Sequence, residues 1–124
     1  MELVIGGAYQ GKLTWIVRQK GFSQAELFDL SEGFASCAHP CFYHLEALTR
    51  RACAEGLDAE AIFEKLSAYI ENSVVISREI GCGIVPMDAF ERSWREQHGR
   101  LLSMLAARAE RVTRIFCGLA EVLK

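Results

Sequence analysis

Residues 3–15 read LVIGGAYQGKLTW, and the fold turns on them. The run Glu2–Gly7 is apolar and ends in two glycines, the composition of a buried strand entering a tight turn. Residues 11–21, GKLTWIVRQKG, then carry Leu13, Ile16 and Val17 at helical spacing, with Gly21 as a stop. Strand, glycine turn and helix in this order are the setting of a phosphate-binding loop, written G-x-x-x-x-G-K-[ST]. Gly6, Gly11 and Lys12 match that pattern, and Leu13 stands where a hydroxyl residue belongs. Such a loop works through inward-turned backbone N–H groups and the positive end of the following helix, with the lysine reaching the terminal phosphates. Gly6, Gly7, Ala8, Gly11, Lys12 and Thr14 are therefore the candidate nucleotide contacts. Leu13 cannot ligate Mg²⁺, and Thr14 is one position late, about 100° further round the helix. Two readings stand at this point. One is a loop that still holds a phosphate; the other is a loop kept for the fold alone. Full Mg²⁺-dependent catalysis asks more of the loop than either.

Outward from the loop, the chain reads as one domain, residues 1–124, with 51% hydrophobic and 24% charged residues, enough for a single core. A net charge of −2 gives no basic face for nucleic acid. No apolar run approaches the roughly 18 residues of a membrane span. No basic region precedes an apolar stretch at the N-terminus, so a cytoplasmic location is expected. The five cysteines, Cys37, Cys41, Cys53, Cys82 and Cys117, are an odd, irregularly spaced set, most simply free thiols.

A second short apolar run spans Ala25–Leu30 and carries Asp29 near its end. Ser31–His44 is the least regular stretch. A helix is expected over about Tyr43–Glu55, closed by Gly56, and another after Asp58 with Ile62, Leu66 and Tyr69 on one face. Ser73–Gly81 is the clearest buried strand, with β-branched residues in succession. A glycine and proline loop leads to a long helix, about Asp88–Arg108, carrying Phe90, Trp94, Leu101, Leu102 and Leu105. Arg111–Gly118 is a last strand, and LAEVLK a short tail. Strands alternating with helices predict a three-layer α/β fold, its mostly parallel sheet covered on both faces around a phosphate-loop core. Any ligand then belongs along the carboxyl edge of the sheet.

The string REIGCGIVP, residues 78–86, together with GGAYQGK, residues 6–12, resembles the adenosylcobinamide kinase and adenosylcobinamide-phosphate guanylyltransferase family of cobalamin biosynthesis. Glu79, Gly81, Gly83, Ile84, Val85 and Pro86 match that family's N-E-V-G-x-G-[IV]-V-P. Arg92, Trp94, Arg95, Glu96 and Gly99 match its R-x-[FY]-R-[DE]-x-x-G, with Trp for the aromatic. Ala109, Glu110, Val112, Gly118 and Lys124 fit its closing A-D-x-V, V-x-G and terminal lysine. The resemblance is strong over Ser73–Lys124, good over Glu2–Lys12 and loose between. There are departures. Arg78 replaces an asparagine, Leu102 and Ser103 replace Asn-Gln, and Leu13 replaces the loop hydroxyl. About a dozen residues separate Thr14 from ELFDL, and none is the histidine on which the family takes up its guanylyl group.

The resemblance implies phosphoryl transfer from ATP or GTP to adenosylcobinamide, without guanylylation. Lys12 would neutralise the transferring phosphate, and Asp29 and Glu79 would hold or orient Mg²⁺. The competing implication is a catalytically inactive relative that binds nucleotide, corrinoid or a protein partner. The resemblance also implies a homo-oligomer, trimer first and dimer second, with Trp94 and Leu102 feeding the contact and Arg92 and Arg95 pairing with acids across it. Cys37, His39, Cys41 and His44 lie within eight residues but match no standard zinc spacing, so free thiols in a partly buried loop are the plainer reading. His39 or His44 as a displaced guanylyl acceptor is a further alternative. Glu79 is open to a ligand role or to bonding within the glycine loop.

Overall fold

The structure, a computed structural model, describes residues 1–81 and 83–124. Cys82 lies outside the described residues, and the other four cysteines are free thiols. The elements run β1 (Glu2–Gly6), α1 (Lys12–Lys20), β2 (Leu27–Asp29), β3 (Cys41–Tyr43), α2 (Leu45–Ala54), α3 (Ala59–Ser67), β4 (Val74–Arg78), α4 (Ala89–Arg108), β5 (Arg111–Phe116) and β6 (Leu119–Val122). The strands form one sheet in the order β2-β3-β4-β1-β5-β6. Every neighbouring pair is parallel except β5 and β6. The expected α/β fold with a mostly parallel sheet is the fold adopted.

The pleat of β1 explains why its sequence is apolar throughout. Leu3 points to one face of the sheet and Val4 to the other, and both are buried. On the Leu3 face, Phe42, Val75 and Val112 meet Leu45 and Leu48 of α2, Ile62 and Leu66 of α3, and Leu101 and Leu105 of α4. On the Val4 face, Cys41, Ile76 and Ile115 meet Ile16 of α1. Each fully buried aliphatic side chain stabilises this three-layer packing by about 1.5–3 kcal/mol. Burial also raises the Cys41 thiol to about 12, so it behaves as an apolar group.

The helix ends follow their expected chemistry. Gly21 closes α1 in the left-handed region at φ 69°. Asp58 caps α3 by accepting from Ala61 N at 2.9 Å, and Asp88 caps α4 by accepting from Phe90 N at 2.7 Å. No described helix is long and apolar enough to cross a membrane.

Two expectations are corrected. Ser31–His44 is not irregular throughout: Cys41–Tyr43 forms β3 and inserts between β2 and β4. Three residues are too few to show an alternating pattern, so this strand exists because two neighbours supply its hydrogen bonds. The C-terminal LAEVLK is not a free tail, because Leu119–Val122 pairs antiparallel with β5 as the edge strand β6. The turn between them places Cys117 at φ 52° and Gly118 at φ 74°, the doubly left-handed geometry of a tight hairpin.

Candidate functional site

The glycine loop lies where the sequence places it, between the carboxyl end of β1 and the first turn of α1. Gly6 is there because of a close approach: a Cβ would come within 2.5 Å of the Ile115 carbonyl oxygen on β5. Gly11 precedes α1 at φ 85°, a conformation that favours glycine. Lys12 turns back over the loop and donates from Nζ to the Gly7 carbonyl at 2.7 Å. The loop is also tied to the β5–β6 hairpin. The Gln10 carbonyl accepts from Gly118 N at 3.1 Å, and Gln10 Oε1 accepts from Cys117 N. The strand missed at the C-terminus therefore helps to shape the loop.

Beside the loop is a cleft of about 340 Å³, lined in part by Gly11, Lys12, Thr14, His44, Glu46 and Arg78. It lies on the carboxyl edge of the parallel strands, as the topology requires. Burial lowers the Lys12 ammonium below its ordinary value. Arg78 acts in the same direction, and Glu46 and Glu79 oppose it. Two cations thus face one cleft with carboxylates behind them. Glu46, in the first turn of α2, accepts from Arg78 N at 3.0 Å and so ties α2 to the end of β4. Glu46 and Tyr43 went unnoticed in the sequence, and Arg78 was noted only as a departure. Tyr43 and Glu46 depend on the short strand β3, which brings α2 to the sheet edge, and Arg78 ends β4 beside it.

Asp29 and Glu79 occupy different sides of the site. Asp29 Oδ1 accepts from Ser31 N at 2.9 Å and is 2.8 Å from His44 Nδ1. Burial alone would raise the Asp29 carboxyl, but the bonds from Ser31 and His44 outweigh it and hold the group below its ordinary value. Glu79 follows β4, where its backbone N–H donates to the Gly6 carbonyl at 2.8 Å. Its carboxylate lies 3.7 Å from Arg114 Nε. Among the described residues, no three His, Cys, Asp or Glu side chains gather into a set that could hold a metal ion. With Leu13 in the hydroxyl position, a Mg²⁺ bound here would rest on one or two carboxylates, phosphate oxygens and water.

The histidines and cysteines of residues 37–44 do not converge either. Cys41 is buried in β3. His39 packs its ring 4.9 Å from Phe28 and 5.6 Å from Phe42. His44 is turned to Asp29.

The segment matching the family motif is held from α4. Arg95 donates to the carbonyls of Ile84 at 2.7 Å and Gly81 at 2.6 Å. Arg92 donates to those of Pro86 and Met87. Within this chain the two arginines therefore clamp their own loop. Trp94 is likewise interior, with Nε1 donating to Thr49 Oγ1 at 3.1 Å and to the Glu46 carbonyl at 3.2 Å.

Beneath the cleft, His98 is fully buried. Its Nδ1 lies 2.8 Å from Thr49 Oγ1 and its Nε2 2.9 Å from Ser77 Oγ. Burial pulls the imidazole down to about 4, so the neutral ring braces α2, β4 and α4.

A glycine loop after the first strand of a parallel sheet, with a lysine and an arginine in the adjoining cleft, defines a phosphate-loop α/β protein. The chain belongs to the cobinamide kinase / cobinamide phosphate guanyltransferase family, whose model matches residues 42–123, roughly two-thirds of its length. That span runs from β3 through β6 and takes in the Glu79–Pro86 motif. The glycine loop lies before it and is recognised by its own geometry. A similar curated protein is the bifunctional adenosylcobalamin biosynthesis protein CobP of Pseudomonas aeruginosa. It is 34% identical over 67 residues, which is 54% of this chain and 39% of that relative. The chain thus aligns with about two-fifths of the relative's length.

Proposed function

We propose that the chain binds the phosphates of ATP or GTP on its glycine loop and transfers the terminal phosphoryl group to a hydroxyl of adenosylcobinamide. On this reading it makes no guanylyl transfer. What carries the reading is the pairing of Lys12 and Arg78 on one cleft at the carboxyl edge of the sheet, beside a glycine loop that enters α1 through a left-handed Gly11. Family membership supplies the substrate class.

The chemistry asked of the chain is positioning and charge stabilisation. The loop N–H groups and the start of α1 would hold the phosphates. Lys12 would leave the Gly7 carbonyl to contact a terminal phosphate oxygen, and Arg78 would face the charge that develops as the phosphoryl group moves. Mg²⁺ would enter as part of the nucleotide complex, held by phosphate oxygens and water.

A second reading, a non-catalytic relative binding nucleotide, corrinoid or protein, is favoured by Leu13 and by the missing histidine-bearing segment between Thr14 and Glu26. Calorimetric titration with ATP and GTP, with and without Mg²⁺, tests the loop. Incubation with ATP and adenosylcobinamide then separates the readings. Phosphorylated product supports the kinase, and nucleotide binding without product supports the relative. Labelled GTP with adenosylcobinamide phosphate should leave neither label on the protein nor a GDP-linked product, since no histidine lies between Thr14 and Glu26.

A further inference from the structure

His44 joins β3 to α2 at φ 63°, in the left-handed region that a histidine enters only at a cost. Its side chain makes no capping bond to α2 that would account for the conformation. The ring lines the cleft that holds Lys12, Thr14, Glu46 and Arg78. Nδ1 lies 2.8 Å from Asp29 Oδ1, so Nδ1–H donates to the carboxylate and Nε2 is the ring nitrogen left to face the cleft. No hydrogen bond engages Nε2 among the described residues. Asp29 is itself steadied by Ser31 N at 2.9 Å. The groups that surround the ring are Asp29 from β2, Tyr43 beside it, Lys12 from α1, Glu46 from α2 and Arg78 from β4. An imidazole oriented by a carboxylate, held in a strained backbone at the rim of a cationic cleft, has the arrangement of a general base.

We propose that His44 is the general base of the phosphoryl transfer, with Asp29 as its positioning residue. The proposal rests on the kinase reading above. In the step, the acceptor hydroxyl oxygen bonds to the γ-phosphorus as the bond from that phosphorus to the β,γ-bridging oxygen breaks. The electron pair of the broken bond leaves on the nucleoside diphosphate. The hydroxyl proton passes to Nε2 of His44 and from there to water. Lys12 and Arg78 face the charge on the moving group.

The test uses the full chain with ATP and adenosylcobinamide in single-turnover assays of the wild type, His44→Ala, His44→Gln and Asp29→Asn. Calorimetry gives ATP affinity, and circular dichroism confirms folding. His44→Ala should bind ATP as the wild type does and lose about 10²–10⁴ in transfer rate. Added imidazole should restore part of that loss, which it would not do for a residue that only shapes the turn. Asp29→Asn should lose less, with the change in kcat and not in ATP affinity. His44→Ala transferring at the wild-type rate would overturn the base and leave the kinase reading standing. So would a folded His44→Ala and His44→Gln pair that imidazole fails to rescue. Guanylyl label from GTP on His44 would make Nε2 a nucleophile and overturn the assignment. A wild type that binds ATP but transfers nothing would remove the kinase reading and the base together.

Discussion

Lys12 donates to the Gly7 carbonyl of its own loop, so its ammonium is held over the loop where a phosphate would sit. If that is its purpose, Lys12→Ala should weaken ATP and GTP binding about tenfold to a hundredfold, the scale of one charge-assisted hydrogen bond. Thermal stability should hardly change, because the bond given up is local. Unaltered affinity by calorimetry would move the site elsewhere. Leu13→Ser supplies the hydroxyl that the loop pattern calls for, and should make nucleotide binding depend more strongly on Mg²⁺. His98 allows a prediction of a different kind. Its folded value of about 4 lies below the ordinary histidine value of 6.5, so between these the unfolded chain binds more protons. Stability therefore rises with pH across that window and is lost as pH falls through it, by about 3 kcal/mol at ~1.4 kcal/mol per unit. Denaturant midpoints should drop from pH 7 to pH 4 in the wild type. His98→Gln should be less stable at pH 7 and flatter across the window. An equal slope in both proteins would assign the acid sensitivity to other groups.

At the scale of elements, Gly81 and residues 83–87 are defined by what grips them. Arg95→Ala removes donors to Ile84 and Gly81, and hydrogen exchange over residues 83–87 should quicken while β1 and β4 stay protected. Unchanged exchange would mean that Arg92 alone suffices. The same elements show what was legible from sequence. β1, α1, α3, β4, α4 and β5 could be read because each carries a long pattern or an explicit stop, such as Gly21, Asp58 or Asp88. β3 could not, since three residues carry no period, and with it went the position of α2 and of Glu46. The tail was misread because LAEV shows no apolar alternation strong enough to announce an edge strand. The candidate site was thus visible on its loop side, in Gly6, Gly11 and Lys12. The facing side was less visible: Tyr43 and Glu46 carried no signal and His44 stood out only in the Cys and His cluster of residues 37–44, because all three are brought in by a strand that only its neighbours stabilise. The motif arginines were seen, but spacing says only that they share a helix face and not what that face meets.

For the whole molecule, the expectation of an oligomer outlives the residues first chosen to support it. Trp94 is buried and bonded within the chain, and Leu102 packs against the core. The apolar surface lies elsewhere. Phe116, Leu119, Val122 and Leu123 are exposed along β5 and β6, and Ile84, Val85 and Met87 are exposed on the clamped loop. β6 is an edge strand whose exposed Leu119 and Val122 are accompanied by a single charge, Glu121, so the edge is open to pairing wherever that carboxylate finds a cation or solvent. Two β6 edges meeting antiparallel would close a two-fold dimer. A β6 edge meeting the Ile84–Met87 loop of the next copy is a head-to-tail contact, which closes a ring when the rotation allows. We expect the ring, as a trimer, first and the dimer second. Light scattering at micromolar concentration should give a mass well above the 13.9 kDa of one chain. Leu119→Lys on β6 should disperse either assembly. Ile84→Lys should disperse only the ring, so the pair of variants reports which contact is used. A wild-type mass of one chain would show that both surfaces stay exposed and would remove the assembly.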